Sequence, residues 1–265
     1  MALVEELQVI APSKLAVEHV SKEFLTGRGA VKALDDVSLA ISEGEFVCLV
    51  GPSGCGKSTL FNCIAGFEQP ERGEVIYRGS PVTKPNIGIG YMTQKDSLLP
   101  WRSVLANVML PLYLQKVPQD EARERAMKVI TRVGLTGFAN HLPAELSGGM
   151  QKRTALARML AYNPTTLLMD EPFGNVDVQL KLQLQRELMA LWESERKTVV
   201  FVTHDLEEAI ALSDRVIVLS RRPGRIKADI EIGLKRPRDP VQIRFEPAFQ
   251  EIHKRLWSLT DTAEE

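Results

Sequence analysis

No apolar run in this 265-residue sequence approaches the roughly 18 residues that a membrane-spanning helix needs. A spanning role is therefore not expected, and any contact with a membrane would come through partners. The opening residues, MALVEELQVIAP, are acidic and lack the basic start of a secretory signal. Cysteine is scarce. Cys48, Cys55 and Cys63 are odd in number and lack metal-ligand spacing, which excludes a disulfide framework and fits a reducing compartment with small packing roles. Net charge is also nearly absent: 33 basic residues against 34 acidic ones leave −1, so no global field draws the chain to nucleic acid or an anionic membrane. Neither an internal repeat nor a low-complexity stretch is visible. What remains, 44% hydrophobic and 25% charged, is the balance of a soluble cytoplasmic protein with a substantial core.

The hydrophobic pattern changes period repeatedly along the chain. Leu15 to Val20 and Leu34 to Ile41 alternate as strands do, with a turn at Thr26-Gly27-Arg28-Gly29 between them. Glu45 to Val50 is a short buried-type run, and Gly73 to Gly79 and Ile87 to Met92 supply further strand candidates. From Ser103 to about Ala161 the spacing becomes helical, with Arg123, Met127, Ile130 and Val133 on one predicted face. Buried-type strands then return at Thr166–Met169, Val199–Val202 and Val216–Leu219, the first two separated by a helix carrying Leu184, Leu188 and Leu191. Strands alternating with helices predict an α/β fold with a mostly parallel sheet covered on both faces. Pro237 to Pro240 marks a break, followed by a short helix with Phe249, Ile252 and Leu256 on one face and Trp257 beside it. The expected division is one domain over 14–240, with a helical subdomain inserted at about 97–161, and a helical extension over 241–265. No separate regulatory domain is expected after the break.

The strongest local signal joins a strand to a helix. Gly51-Pro52-Ser53-Gly54-Cys55-Gly56-Lys57-Ser58-Thr59 fits G-x-x-x-x-G-K-[ST]. Glycines allow the backbone to curl so that successive N–H groups face phosphate oxygens, and the following helix turns its positive end toward the same anion. In that motif Lys57 reaches the β- and γ-phosphates, and the Ser58 hydroxyl is a magnesium ligand.

A second element supplies acid groups. Thr166-Leu167-Leu168-Met169-Asp170-Glu171 is an apolar strand ending in two carboxylates. Asp170 at the strand tip is the expected holder of hydrated Mg²⁺. Side chains alternate along a strand, so Glu171 points elsewhere and is free to polarise a water.

Between these two lies Leu146-Ser147-Gly148-Gly149-Met150 at the start of a helix. An isolated Ser-Gly-Gly reads as a serine-capped helix start. In this order, however, the segment resembles the LSGGQ signature of the ABC ATPase family, with Met150 where glutamine is usual. Other elements of that family follow in sequence. Gln94 matches the Q-loop glutamine, which senses the metal and the γ-phosphate. His204 matches the switch histidine, Asp177 in Gly174-Asn175-Val176-Asp177 the D-loop aspartate, and Phe24 the aromatic residue placed against adenine. The resemblance covers residues 15 to 235. The D-loop departs from the usual pattern, reading GNVD, and neither departure removes a group assigned to catalysis. Asp96-Ser97-Leu98-Leu99-Pro100-Trp101 and Arg222-Pro223-Gly224-Arg225-Ile226 resemble the nitrate/sulfonate/taurine importer ATPases within that family.

The resemblance implies a P-loop NTPase core with an N-terminal antiparallel β subdomain and an inserted helical subdomain. It implies ATP and Mg²⁺ as ligands and hydrolysis with Glu171, His204, Lys57 and Gln94 as catalytic groups. Two copies would pair head to tail, so that Ser147, Gly148 and Gly149 of one complete the nucleotide site of the other. The expected partners are separate transmembrane permease subunits at the cytoplasmic face of the cell membrane and, indirectly, a periplasmic or lipid-anchored solute-binding protein. Leu98, Leu99 and Trp101 are expected to line the groove that receives a permease helix. Nitrate, a sulfonate, taurine or a related small solute is the expected cargo, with no nucleic acid involved. The competing reading is an ABC-type ATPase not coupled to a permease; the chain has one cassette and no long coiled-coil insertion, unlike the repair and ribosome-acting types. A GTPase or small-molecule kinase lacks support, because N-K-x-D is absent and no D-x-x-G follows the phosphate loop. An exporter subunit shares every catalytic motif.

Overall fold

The computed structural model describes residues 14–27, 29–94, 97–174 and 176–260. The MALVEELQVIAP segment, Arg28 of the first turn, Asp96, Asn175 of the D-loop and the last residues of the C-terminal extension lie outside the described residues.

The five residues of strand β3 (Phe46–Val50) organise the molecule, and all of them are buried. Successive side chains of a strand point to opposite faces. Phe46, Cys48 and Val50 enter one apolar cluster, and Val47 and Leu49 enter another. Strands β7 (Thr166–Asp170) and β8 (Thr198–Val202) divide in the same way, with Met169 and Phe201 on the first face and Leu168 and Val200 on the second. A strand apolar on both sides needs a cover on both sides.

The described residues form two sheets. In the smaller, β1 (Leu15–Thr26) lies between β2 (Gly29–Ile41) and β4 (Arg72–Tyr77), with the short β5 (Ser80–Pro81) beyond β4; all pairs are antiparallel. The larger runs β10-β9-β3-β8-β7-β6, where β6 is Ile89–Met92, β9 is Arg215–Leu219 and β10 is Ile226–Glu231. Only β10 is antiparallel to its neighbour. The smaller sheet and helix α1 (Lys57–Ala65) cover one face. On the other lie α2 (Val104–Leu114), α3 (Gln119–Arg132), α4 (Gly148–Ala161), α5 (Val178–Glu195), α6 (Leu206–Leu212) and α7 (Pro247–Thr260). The fold is that of a P-loop NTPase with a mostly parallel sheet, an antiparallel β layer and an inserted helical segment.

The helical insertion corrects one detail of the sequence pattern. In α3 the inward row is Ala122, Ala126 and Ile130, and Arg123 is exposed. Alanines at i and i+4 let α2 and α4 pack close, and an arginine in that row would bury an unpaired charge. Leu98, Leu99 and Trp101 precede the first helix of this insertion. Leu98 packs onto the core, and Asn107 holds the turn by accepting from Leu99 N at 2.8 Å and donating to Arg102 O at 2.8 Å. Trp101 is largely exposed, and none of the three lines the apolar cavity on this side. That cavity, ≈ 400 Å³, is walled by Phe67, Ile87, Tyr91, Pro111, Leu114 and Tyr162 among others.

Beyond β10, Ile243, Phe249 and Leu256 reach the same core cluster as the helical insertion. Arg236 anchors the approach to α7. It donates to Asp214 at 2.7 Å and lies over the Trp192 ring at 4.2 Å. The three cysteines are buried and unbridged. Burial pushes the Cys63 thiol up to about 11 and the Cys48 thiol well up, which suits packing rather than redox chemistry.

Candidate functional site

In a parallel sheet the loops that leave the strand C-termini gather along one edge, and ligands bind there. Val50 of β3 leads into the phosphate loop, Met92 of β6 toward Gln94, Asp170 of β7 into Glu171, and Val202 of β8 toward His204. Pairing of Leu49 and Asp170 with Val202, and of Met92 with Met169, keeps these ends level. The four segments therefore meet by topology, although up to about 150 residues of chain separate them.

The phosphate loop is held in a conformation that requires glycine. Gly56 caps α1 at φ 105°, and a Cβ there would stand 2.7 Å from the Ala33 carbonyl oxygen. Lys57 Nζ donates back to Gly51 O at 2.8 Å and Pro52 O at 2.9 Å. Cys55 lies under the loop, buried. A cavity of ≈ 360 Å³ opens in front, lined by Phe24, Ser53, Gly54, Gly56, Lys57, Ser58, Thr59, Gln94 and Glu171, together with Val31, Ala33 and Arg222. An aromatic ring at one wall and a loop of backbone N–H groups with a lysine at another suit a purine nucleotide with its phosphate chain.

The acid end is equally specific. Ser58 Oγ donates to Asp170 Oδ2 at 2.7 Å. Burial pushes the Asp170 carboxyl above its ordinary range against the Ser58 hydrogen bond; the neighbouring Glu171 charge adds to the rise, and Lys57 opposes it. A buried carboxylate beside a hydroxyl, with an ionised form that needs positive charge, is a donor set for a hard divalent cation such as Mg²⁺. Glu171 is the meeting point. Gln94 Nε2 donates to its Oε2 at 3.0 Å, and His204 Nδ1 is 3.7 Å from the same oxygen. Glu171 takes φ 47°, a left-handed conformation uncommon for a residue with a side chain. Backbone bonds hold it there: its N–H donates to Val202 O at 3.0 Å, and its carbonyl accepts from Gly174 N at 3.1 Å. Strain so supported is characteristic of functional positions.

Behind His204, Thr203 shares a short hydrogen bond with Glu208. Gln185 Nε2 donates to Glu208 at 2.8 Å, and Lys181 bonds Asp205 at 2.7 Å. Asp177 caps α5, accepting from Leu180 N at 3.0 Å, and Lys181 of the same helix ties it to Asp205 beside His204.

Ser147, Gly148 and Gly149 lie outside the pocket lining. Ser147 caps α4 by accepting from Met150 N at 3.3 Å, and Ser147 and Gly148 are exposed. Gly149 is buried against α5, where a Cβ would stand 2.0 Å from Leu180. Met150 packs on the core, which accommodates a thioether in place of an amide. The predicted residues therefore form two groups, Phe24, the loop, Gln94, Asp170, Glu171 and His204 along one edge and the signature, exposed at Ser147 and Gly148; Asp177 is the cap of α5 and does not line the pocket.

Two residues near the site carried no such expectation from sequence. Lys152 of α4 is buried and donates to Gln94 O at 2.8 Å, fixing the Q-loop from the signature helix. Arg222 lines the phosphate pocket. A lysine within a helix gives no sequence signal. Arg222 did stand out, as part of Arg-Pro-Gly-Arg, though only as a family marker.

Fold and site together define a P-loop nucleotide hydrolase. The ABC transporter family model matches residues 34–174. A taurine import ATP-binding protein of Rhizobium johnstonii is 43% identical over 256 residues, covering 95% of this chain and 98% of that protein. An aliphatic sulfonates import ATP-binding protein of Bacillus cereus is 40% identical, covering 91% and 94%. An uncharacterized ABC transporter ATP-binding protein of Methanocaldococcus jannaschii is 49% identical over 232 residues, covering 88% and 87%. A dimeric bacterial ABC transporter cassette superposes with a TM-score of 0.76 at 35% identity, covering 83% of this chain and all of that one. A post-hydrolysis cassette dimer bound to ADP and phosphate gives the same TM-score at 34%. The chain belongs to the ABC transporter family and is an ATP hydrolase, of the kind whose relatives are named for taurine and sulfonate import.

Proposed function

We propose that this chain is the ATP-hydrolysing subunit of an ABC importer, working as a head-to-tail homodimer beneath separate transmembrane subunits at the cytoplasmic face of the cell membrane. Nitrate, a sulfonate, taurine or a related small anion or zwitterion is the proposed solute class. The importer names of the relatives support this, and a periplasmic or lipid-anchored binding protein would deliver the solute. The apolar cavity beside Pro111 and Leu114 has the character of a groove for a short permease helix.

One observation carries the ATPase reading: the phosphate loop, Gln94, Asp170, Glu171 and His204 share one sheet edge, and the signature start is exposed outside their pocket. Phe24 stacks adenine, and the backbone of Gly51 to Thr59 with Lys57 binds the β- and γ-phosphates. Ser58, Asp170 and Gln94 are the proposed holders of Mg²⁺, which when bound neutralises phosphate charge. Glu171 accepts a proton from the attacking water as its oxygen bonds to the γ-phosphorus and the bond to the β–γ bridging oxygen breaks. His204 and Gln94 hold the transferring group, and ADP and phosphate leave. Ser147, Gly148 and Gly149 of the partner copy, with Asp177 at the dimer contact, close the pocket from the other side. ATP drives closure only through its higher affinity for the closed dimer.

Glu171→Gln is the direct test. Hydrolysis is expected to fall by about 10²- to 10⁴-fold, with ATP binding retained and a nucleotide-bound dimer accumulating by light scattering. Near-normal turnover would remove Glu171 from this role.

A further inference from the structure

The Arg222-Pro223-Gly224-Arg225 segment between β9 and β10 has no part in the mechanism above, yet its backbone is built into the phosphate loop. A Cβ on Gly224 would stand 2.1 Å from the Cys55 carbonyl oxygen, an approach that only glycine permits. Gly224 N donates to Ala33 O at 2.9 Å, and Gly224 O accepts from Asp35 N at 3.0 Å. Arg225 forks onto the Asp35 carboxylate, its Nε at 2.8 Å. The segment is thus clamped between β2 and the loop. A clamped backbone fixes the point from which the side chain two residues earlier leaves the chain.

That side chain is Arg222, and it lines the nucleotide pocket alongside Ser53, Gly54 and Lys57. Its guanidinium has no hydrogen-bond or ion-pair partner among the described residues, unlike the guanidinium of Arg225. Phe24 marks the base end of the pocket, and Gln94 and Glu171 mark the γ-phosphate end. The backbone that carries Arg222 enters at Cys55 and Ala33, apart from the carboxylates. We infer that Arg222 is a nucleotide-binding residue whose guanidinium engages the α- and β-phosphates from the side of the β9–β10 connection. The inference rests on the ATPase reading and adds a contact to it. Arginine suits the position because its planar fork matches phosphate oxygens and it stays charged at every relevant pH.

The test is equilibrium binding of ADP and of ATP to the full chain carrying Arg222→Gln or Arg222→Lys, with Lys57→Ala alongside. Arg222→Gln is expected to weaken both nucleotides about 10- to 100-fold, the factor set by lost charge-assisted hydrogen bonds. Arg222→Lys should recover part of the loss. The thermal midpoint of the nucleotide-free protein should hold in both variants, because the side chain is exposed and unpaired. ADP affinity within twofold of wild type in Arg222→Gln overturns the inference, even if ATP binding changes. Should Lys57→Ala also bind both nucleotides normally, the nucleotide site itself is misplaced and the wider reading fails with it.

Discussion

At the scale of single residues, the site combines groups whose burial and charge oppose one another. Glu208 is the clearest case. Burial pushes its carboxyl above the ordinary range, against the positive charge of Lys181 and the hydrogen bonds of Thr203 and Gln185. A raised folded-state pKa means that this group adds stability below the ordinary carboxylate range. That contribution is lost as pH rises through the folded value. Glu208→Gln keeps a neutral hydrogen-bonding group there at every pH. Wild type should therefore lose stability relative to Glu208→Gln as pH rises from about 4 toward 7, as read from urea unfolding at each pH. A constant or reversed difference would show that the Lys181 pair, and not burial, governs the position. Neither this network nor Lys152 on the Gln94 carbonyl was legible in sequence, because each depends on side chains far apart in the chain meeting behind a loop.

At the scale of elements, α7 tests what holds the C-terminal segment. Its Phe249 and Leu256 are buried in the same cluster as Phe46 and Phe201, while Trp257 faces outward beside His253. Phe249→Ala should destabilise the whole chain by about 3–5 kcal/mol, the cost of a buried aromatic removed from a packed core. It should do so in one unfolding transition, measured by denaturant titration with two probes. A separate early transition, leaving the rest unmoved, would make α7 an appendage. The inward positions of α7 and α5 were readable from spacing alone. The first turns of α3 were not, since its alanines carry too little hydrophobic signal to outweigh Met127 in a periodicity count.

At the scale of the whole molecule, the proposed head-to-tail pairing predicts a pocket completed by a second copy. Lys57→Ala removes the phosphate lysine, and Ser147→Arg places bulk and charge at the exposed helix start. Each variant alone should be inactive. Random pairing of an equal mixture leaves one intact site in each mixed dimer, roughly a quarter of the wild-type sites. Recovered ATPase activity in the mixture, measured by phosphate release, is the expected outcome. Persistent silence of the mixture, or full activity of Ser147→Arg alone, would sink the composite site.

The sequence by itself determined the phosphate loop, the paired carboxylates, the signature and their order, because each is a short contiguous pattern demanded by local chemistry. It also determined the two-faced burial of β3, β7 and β8, since a strand with consecutive apolar residues carries them on both faces and needs a cover on both. Only the tertiary structure decided that Gln94 and His204 converge on one oxygen of Glu171, and that Glu171 is held in a left-handed conformation. Likewise, only the fold pressed Gly224 onto the phosphate loop. Those outcomes depend on which strands are neighbours and on how level their ends lie, and no local pattern encodes the distance between residues that meet across a sheet.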